Sequence, residues 1–214
     1  MPEDPGENEL PRSSRSNRSE VTKKSNFPSL VSLAAHDLRT PLATVSGFAK
    51  TLIRTEALEE PASRYVGIIE AAAEQMVELL DELGLAARIE AGRYQPNLQD
   101  GDTLTLAREA AATLGEDRVR VAGEGGAIRV DVEATQRAVT ALTQCALRHG
   151  GLELVNVTAA GAELTVAPIT PASAPVVLGE DLRDLGAAVA VRLVNALGGS
   201  VSVEEETLHV CLPE

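Results

Sequence analysis

The chain has 214 residues, 44% of them apolar but only 2% aromatic and none Trp, so its cores must be built from Leu, Val, Ile and Ala. A formal net charge of −13 repels a phosphate backbone, and no basic patch offsets it, so nucleic acid is excluded as an expected partner. Cys145 and Cys211 match neither a metal site nor a disulfide framework, no apolar run reaches the roughly 18 residues that span a bilayer, and the polar N-terminus is no secretory signal. The expectation is a cytoplasmic protein with no membrane insertion.

Residues 1–27 are rich in Pro, Ser, Arg and Glu and nearly devoid of apolar side chains, which predicts a disordered tail. From Pro28 the pattern turns helical. Val31, Ala35, Leu38, Leu42, Val45, Ala49 and Leu52 recur at alternating steps of four and three and lay an apolar seam along a helix. The stretch from Glu56 to Pro61 breaks it. A second seam of Val66, Ile69, Ala73, Met76, Leu80, Leu83 and Ala87 ends near Gly92, so residues 28–96 read as an antiparallel helical hairpin. Leu30, Leu33, Ile53, Ile68 and Leu79 flank these seams, and a single partner helix cannot cover so wide a stripe. Two hairpins packed as a four-helix bundle can, which predicts a homodimer.

His36 lies two residues before Leu38 and points about 200° away from it on a 3.6-residue repeat. A histidine there is exposed rather than part of the seam. Thr40 is one turn on and shares its face, and Asp37 is placed to accept a proton from one ring nitrogen, leaving the other as a nucleophile. Pro41 removes a backbone donor and should bend or loosen the helix just past the site.

Residues 97–214 read as a domain of alternating elements. Helices are predicted at Asp100 to Leu114, Val132 to His149 and Leu185 to Leu197. Strands are predicted at Val119 to Ala122, Ile128 to Val130, Leu152 to Thr158, Leu164 to Ala167, Val201 to Val203 and Leu208 to Leu212. The order is that of a two-layer α/β sandwich, so the fold class is α+β. AGEGGA, with Gly123, Gly125 and Gly126, reads as a hairpin turn. Arg148 and His149 read as a solvated helix end, His209 as ordinary surface, and Cys145 as a small buried hydrophobe.

The segment AAHDLRTPLATVSGFAKTL resembles the phospho-acceptor box of the histidine kinase dimerisation domain, and RIEAGRYQP resembles the end of that family's hairpin. The resemblance implies that His36 takes a phosphoryl group, that Asp37 assists proton transfer, and that Thr40 positions water for dephosphorylating a partner. The rest, and above all LGAAVAVRLVNALGGSVSVEEETLHVCLP, resembles the ATP-binding domain that follows such hairpins. Its nucleotide residues depart from the family pattern. Ala141 and Cys145 stand where an Asn would hold the phosphate-bridging metal, and Pro168 stands where an Asp would accept the adenine amino group. Thr170 and Ala172 replace glycines, Asp184 faces Gly186 in the later glycine turn, and the lid shrinks to the Pro-rich loop SAPVVLGED. No cofactor or metal is therefore expected on this chain. The expected function is a histidine phosphotransferase or phosphatase of a phosphorelay, acting on response-regulator receiver domains. An ATP- and magnesium-dependent histidine kinase with a divergent nucleotide site is the alternative, and a non-enzymatic dimeric adaptor that docks receivers is the second.

Overall fold

A computed structural model describes residues 27–55 and 58–214. The tail read over residues 1–27 lies outside the described residues except for Phe27, as do Glu56 and Ala57 of the break between the helices.

Two 29-residue helices, α1 (Phe27–Thr55) and α2 (Ala62–Glu90), form the hairpin. Three polar ties set their register: Arg93 donates to Ser29 Oγ at 2.8 Å, Arg39 pairs with Asp81, and Lys50 pairs with Glu74 at 2.8 Å. α1 continues through Pro41 to Thr55 as one helix, so the expected loosening past the site does not end it.

The seams read from the sequence divide into two faces. Ala35 and Ala49 of α1 and Ala73 and Ala87 of α2 are buried, with Leu42, Val66 and Leu80 half-buried between the helices. The alternate seam positions face outward: Leu38, Val45, Leu52, Ile69, Met76 and Leu83 are 37–56% exposed. A coiled-coil repeat does this when one half of the stripe meets its own hairpin partner and the other half is left for a second pair of helices.

The remainder is an α/β domain. β1 (Leu98–Asp102) and β3 (Ala127–Asp131) form a two-stranded antiparallel ribbon. A five-stranded sheet runs β2-β4-β5-β7-β6, from β2 (Val119–Gly125), β4 (Val155–Gly161), β5 (Glu163–Ala167), β6 (Ser200–Glu204) and β7 (Thr207–Cys211). β2 and β4 are parallel and the other pairs antiparallel. Val155, Val157, Leu164, Val166, Leu208 and Val210 alternate onto one face. That face is covered by α3 (Thr103–Leu114), α4 (Val132–Gly150) and α6 (Leu185–Ala196), which bury Leu106, Leu142, Leu147 and Leu193 against it. The α+β class and the two-layer sandwich read from the sequence are what the chain adopts.

Several local expectations are corrected. The helix read from Asp100 begins at Thr103, because Asp102 is extended (φ −139°) and caps α3 by accepting from Thr105 N at 2.9 Å, while Leu98–Asp102 pairs with β3. β4 begins at Val155 rather than Leu152, whose N–H instead bonds Leu147 O at the end of α4. AGEGGA is not a hairpin turn, since β2 and β3 belong to different sheets. Its glycines allow backbones to touch: Gly123 has φ +94° and a side chain there would run into the Ala159 carbonyl. SAPVVLGED is not simply a loop. It contains the one-turn helix α5 (Ala174–Val177), whose Val176 and Val177 are fully buried in the core.

Candidate functional site

His36 sits on the outer side of α1 with 74% of its side chain exposed. Its Nδ1 lies 3.1 Å from Asp37 Oδ1, and Asp37 is itself 66% exposed. A proton on Nδ1 donated to that carboxylate leaves the lone pair on Nε2 of a largely exposed ring. Thr40 and Thr44 continue the same face and, with Arg39 and Ala43, line a shallow open groove beside the imidazole. Asp37, Thr40 and His36 are thus gathered within one turn of helix. The proline at 41 cannot donate to the Asp37 carbonyl one turn back, so this turn lacks one backbone bond.

Arg39 and Asp81 complete this region and were not singled out from the sequence. The arginine leaves the outer face, crosses to α2 and pairs with Asp81, so the helix that carries His36 is clamped at that level. The signal available was weak, because a cross-helix pair has no fixed spacing in the chain. Asp81 also lines a cavity of about 450 Å³ between the hairpin and the α/β domain, with Glu78, Glu82, Arg137, Ala141 and Gly186. Burial raises the Glu82 carboxyl above its ordinary range, and the charges of Asp184 and Glu78 add to the effect.

The positions that correspond to a nucleotide site offer poor ligands for one. Cys145 is fully buried, and its thiol is pushed up to about 12, first by burial and then by Asp184, so it is no nucleophile near neutral pH. Magnesium takes hard oxygen donors, which neither Cys145 nor Ala141 supplies. Pro168 has no donor or carboxylate to present to a base. Thr170 and Ser173 spend their polar atoms on each other in a tight turn, at 3.0 Å from Thr170 N to Ser173 Oγ. Val176 and Val177 fill the core behind that turn.

The start of α6 is occupied as well. Asp184 caps the helix by accepting from Ala187 N at 3.1 Å, and its other oxygen lies 3.2 Å from His149 Nε2 and 3.5 Å from Arg148. The N-terminus of α6 already holds an anion from its own chain. His149 is therefore not a solvated helix end, being 17% exposed and bonded to Asp184, whereas Arg148 stays largely in solvent and reaches Asp184 only from 3.5 Å. His209 is not ordinary surface either. It is half-buried and bonds Glu163 at 2.6 Å across β5 and β7.

The chain is thus a two-helix hairpin presenting one exposed histidine, followed by a sheet domain with helices on one face. Residues 29–92 match the His Kinase A (phospho-acceptor) domain, and the hairpin belongs to that family. Over 123 residues the chain is 32% identical to the sensor protein DivL of Caulobacter vibrioides, a match covering 54% of this chain and 16% of DivL. Full-length ShkA in complex with AMPPNP has a similar fold, with a TM-score of 0.64 at 21% identity over 86% of this chain and 44% of that one. The histidine kinase AdeS of Acinetobacter baumannii gives 0.51 at 14% identity over 84% and 98%. The chain thus spans about a sixth of DivL and under half of ShkA. Its second domain has the histidine kinase ATP-binding fold, as the sequence resemblance implied. Among the described residues no helix is long and apolar enough to cross a membrane.

Proposed function

We propose that this chain is a homodimeric relay protein that moves phosphoryl groups between His36 and the aspartates of response-regulator receiver domains, as phosphotransferase and phosphatase, with no ATP-dependent step of its own. One contrast carries this reading. The imidazole of His36 is exposed and oriented by Asp37, while in the ATPase-like domain Ala141, Cys145 and Pro168 stand where nucleotide and metal ligands would be and Asp184 caps the start of α6. The outward half of the hairpin seam is the surface on which two copies join. Cys145 and Cys211 are free thiols, which suits a reducing cytoplasm.

The transfer is an in-line displacement. Nε2 of His36 attacks the phosphorus of the receiver's aspartyl phosphate; an N–P bond forms, the P–O bond to aspartate breaks, and the carboxylate leaves. Asp37 holds the Nδ1 proton throughout and stabilises the positive charge that builds on the ring. The receiver supplies its own acidic pocket and magnesium, so this chain contributes position and a nucleophile. In the hydrolytic direction, Thr40 orients a water whose oxygen attacks the same phosphorus. The P–O bond to aspartate breaks, the carboxylate is regenerated, inorganic phosphate is released, and a proton from the water passes to solvent.

The test is a comparison of donors. Label from a phosphorylated receiver is expected to appear on this chain in acid-labile, base-stable form, whereas labelled ATP with magnesium leaves it unlabelled. Labelling from ATP at a rate comparable to that from the receiver would instead establish an autokinase.

A further inference from the structure

We propose that Cys145, His149 and Asp184 form a binding site for a d-block divalent cation, of which Zn²⁺ is the representative. The thiol, imidazole and carboxylate ligand atoms all lie within 4.8 Å of one another. Cys145 and His149 are four residues apart on α4 and share one face of it. Asp184 comes from the other side of the gap, fixed as the cap of α6. The cap uses one carboxylate oxygen, on Ala187 N at 3.1 Å, and leaves the other 3.2 Å from His149 Nε2.

That spacing suits a metal. Zinc bonds of about 2.0–2.3 Å in a tetrahedron set neighbouring ligand atoms roughly 3.3–3.8 Å apart, so the His149–Asp184 edge is already near the required length and the thiol needs a small shift. The site is also largely shielded, with an opening to solvent: Cys145 is fully buried, and the His149 and Asp184 side chains are 17% and 10% exposed. A sulfur, a nitrogen and one oxygen select a borderline or soft cation and disfavour magnesium. On binding, the cation displaces the thiol proton, and thiolate plus carboxylate neutralise its two charges with His149 neutral. Arg148 competes for Asp184 from 3.5 Å, but it is 61% exposed and free to swing into water. Water takes the fourth position. The bound cation would fasten α4 to the start of α6, closing the chain that runs between them through α5. Sequence spacing hides such a site, because its third ligand lies 35 residues beyond His149.

The whole chain, stripped by chelator and kept reduced, is titrated with Co²⁺ and then Zn²⁺. One cobalt per chain should give a thiolate-to-cobalt charge-transfer band with ligand-field absorption of a four-coordinate ion, and zinc should displace it. Cys145→Ser should remove the charge-transfer band, while Cys211→Ser should keep it. His149→Ala and Asp184→Asn should each weaken zinc by about 100-fold or more, the asparagine preserving the helix cap. Arg148→Gln should tighten zinc by removing a competing cation. Circular dichroism of the metal-free variants establishes that each is folded, and the three ligand variants answer independently if one is not. The proposal is overturned if folded wild-type protein shows no saturable binding up to about 100 µM zinc, a constant near −5.5 kcal/mol. A charge-transfer band that survives Cys145→Ser but disappears with Cys211→Ser overturns it equally.

Discussion

Replacing Met76 with Lys should dissociate the dimer without unfolding the hairpin. Met76 lies on the outward half of the α2 seam and is 47% exposed in a single copy. Complete burial of such a side chain is worth about 1.5–3 kcal/mol, so the half still exposed contributes about 1 kcal/mol when a second hairpin covers it. The lysine forfeits that and puts an ammonium into an apolar seam, for a cost of roughly 2 kcal/mol per copy. Symmetry doubles the cost to about 4 kcal/mol, which is about a thousandfold in the dimer constant. Leu42 and Leu80, which belong to the same seams, are half-buried inside one hairpin, so a charge there would confound dissociation with unfolding. Gln75→Lys adds the same charge one residue away, on an exposed position outside the seam, and serves as the control. Sedimentation equilibrium should give a dimer for wild type and Gln75→Lys, and a helical monomer for Met76→Lys at micromolar concentration. A wild-type protein that is a well-folded monomer at tens of micromolar, or a Met76→Lys dimer of unchanged affinity, would refute the four-helix reasoning.

Calorimetry should find ATP binding no tighter than roughly millimolar, about −4 kcal/mol, with no gain from magnesium; a micromolar, magnesium-dependent constant would return the kinase reading. Thr40→Ala should leave transfer to His36 nearly intact and slow net hydrolysis by about 100-fold, since it removes positioning rather than the nucleophile. Single-turnover kinetics with a phosphorylated receiver separate the two steps. Glu82→Gln should raise the melting temperature near pH 7 and not near pH 4. The native carboxyl holds its proton to higher pH than the unfolded chain does, so its ionised form costs stability above the raised pKa, and the penalty fades as pH falls through it. Equal melting points for the two proteins at both pH values would contradict that sign.

The hairpin was legible because a repeat of alternating fours and threes is local and long. What the repeat could not say is which half of the seam faces inward. Leu38 and Leu42 are chemically alike, and only packing against α2 exposes the first and half-buries the second. That His36 lies exposed off the seam, beside Asp37 and Thr40, was legible for the same local reason, whereas Arg39–Asp81 joins residues 42 apart. In the α/β domain, α4 and α6 stood out through their apolar faces. β1 did not, since Leu-Gln-Asp-Gly-Asp carries no strand signal and exists as a strand by pairing with β3. The negative charge of Asp184 was visible in the chain. That it caps α6 and gathers Arg148 and His149 around it is a property of the fold alone.

The central claim is that His36 carries the phosphoryl group, and one pair of reactions tests it. A receiver labelled on its aspartate is mixed with wild-type protein or with His36→Ala, and label on each protein is followed with time. Wild type should drain the receiver with acid-labile label trapped on this chain, and His36→Ala should trap none and leave the receiver phosphorylated far longer. A His36→Ala protein that drains the receiver at the wild-type rate, with no labelled histidine ever trapped on wild type, would contradict it.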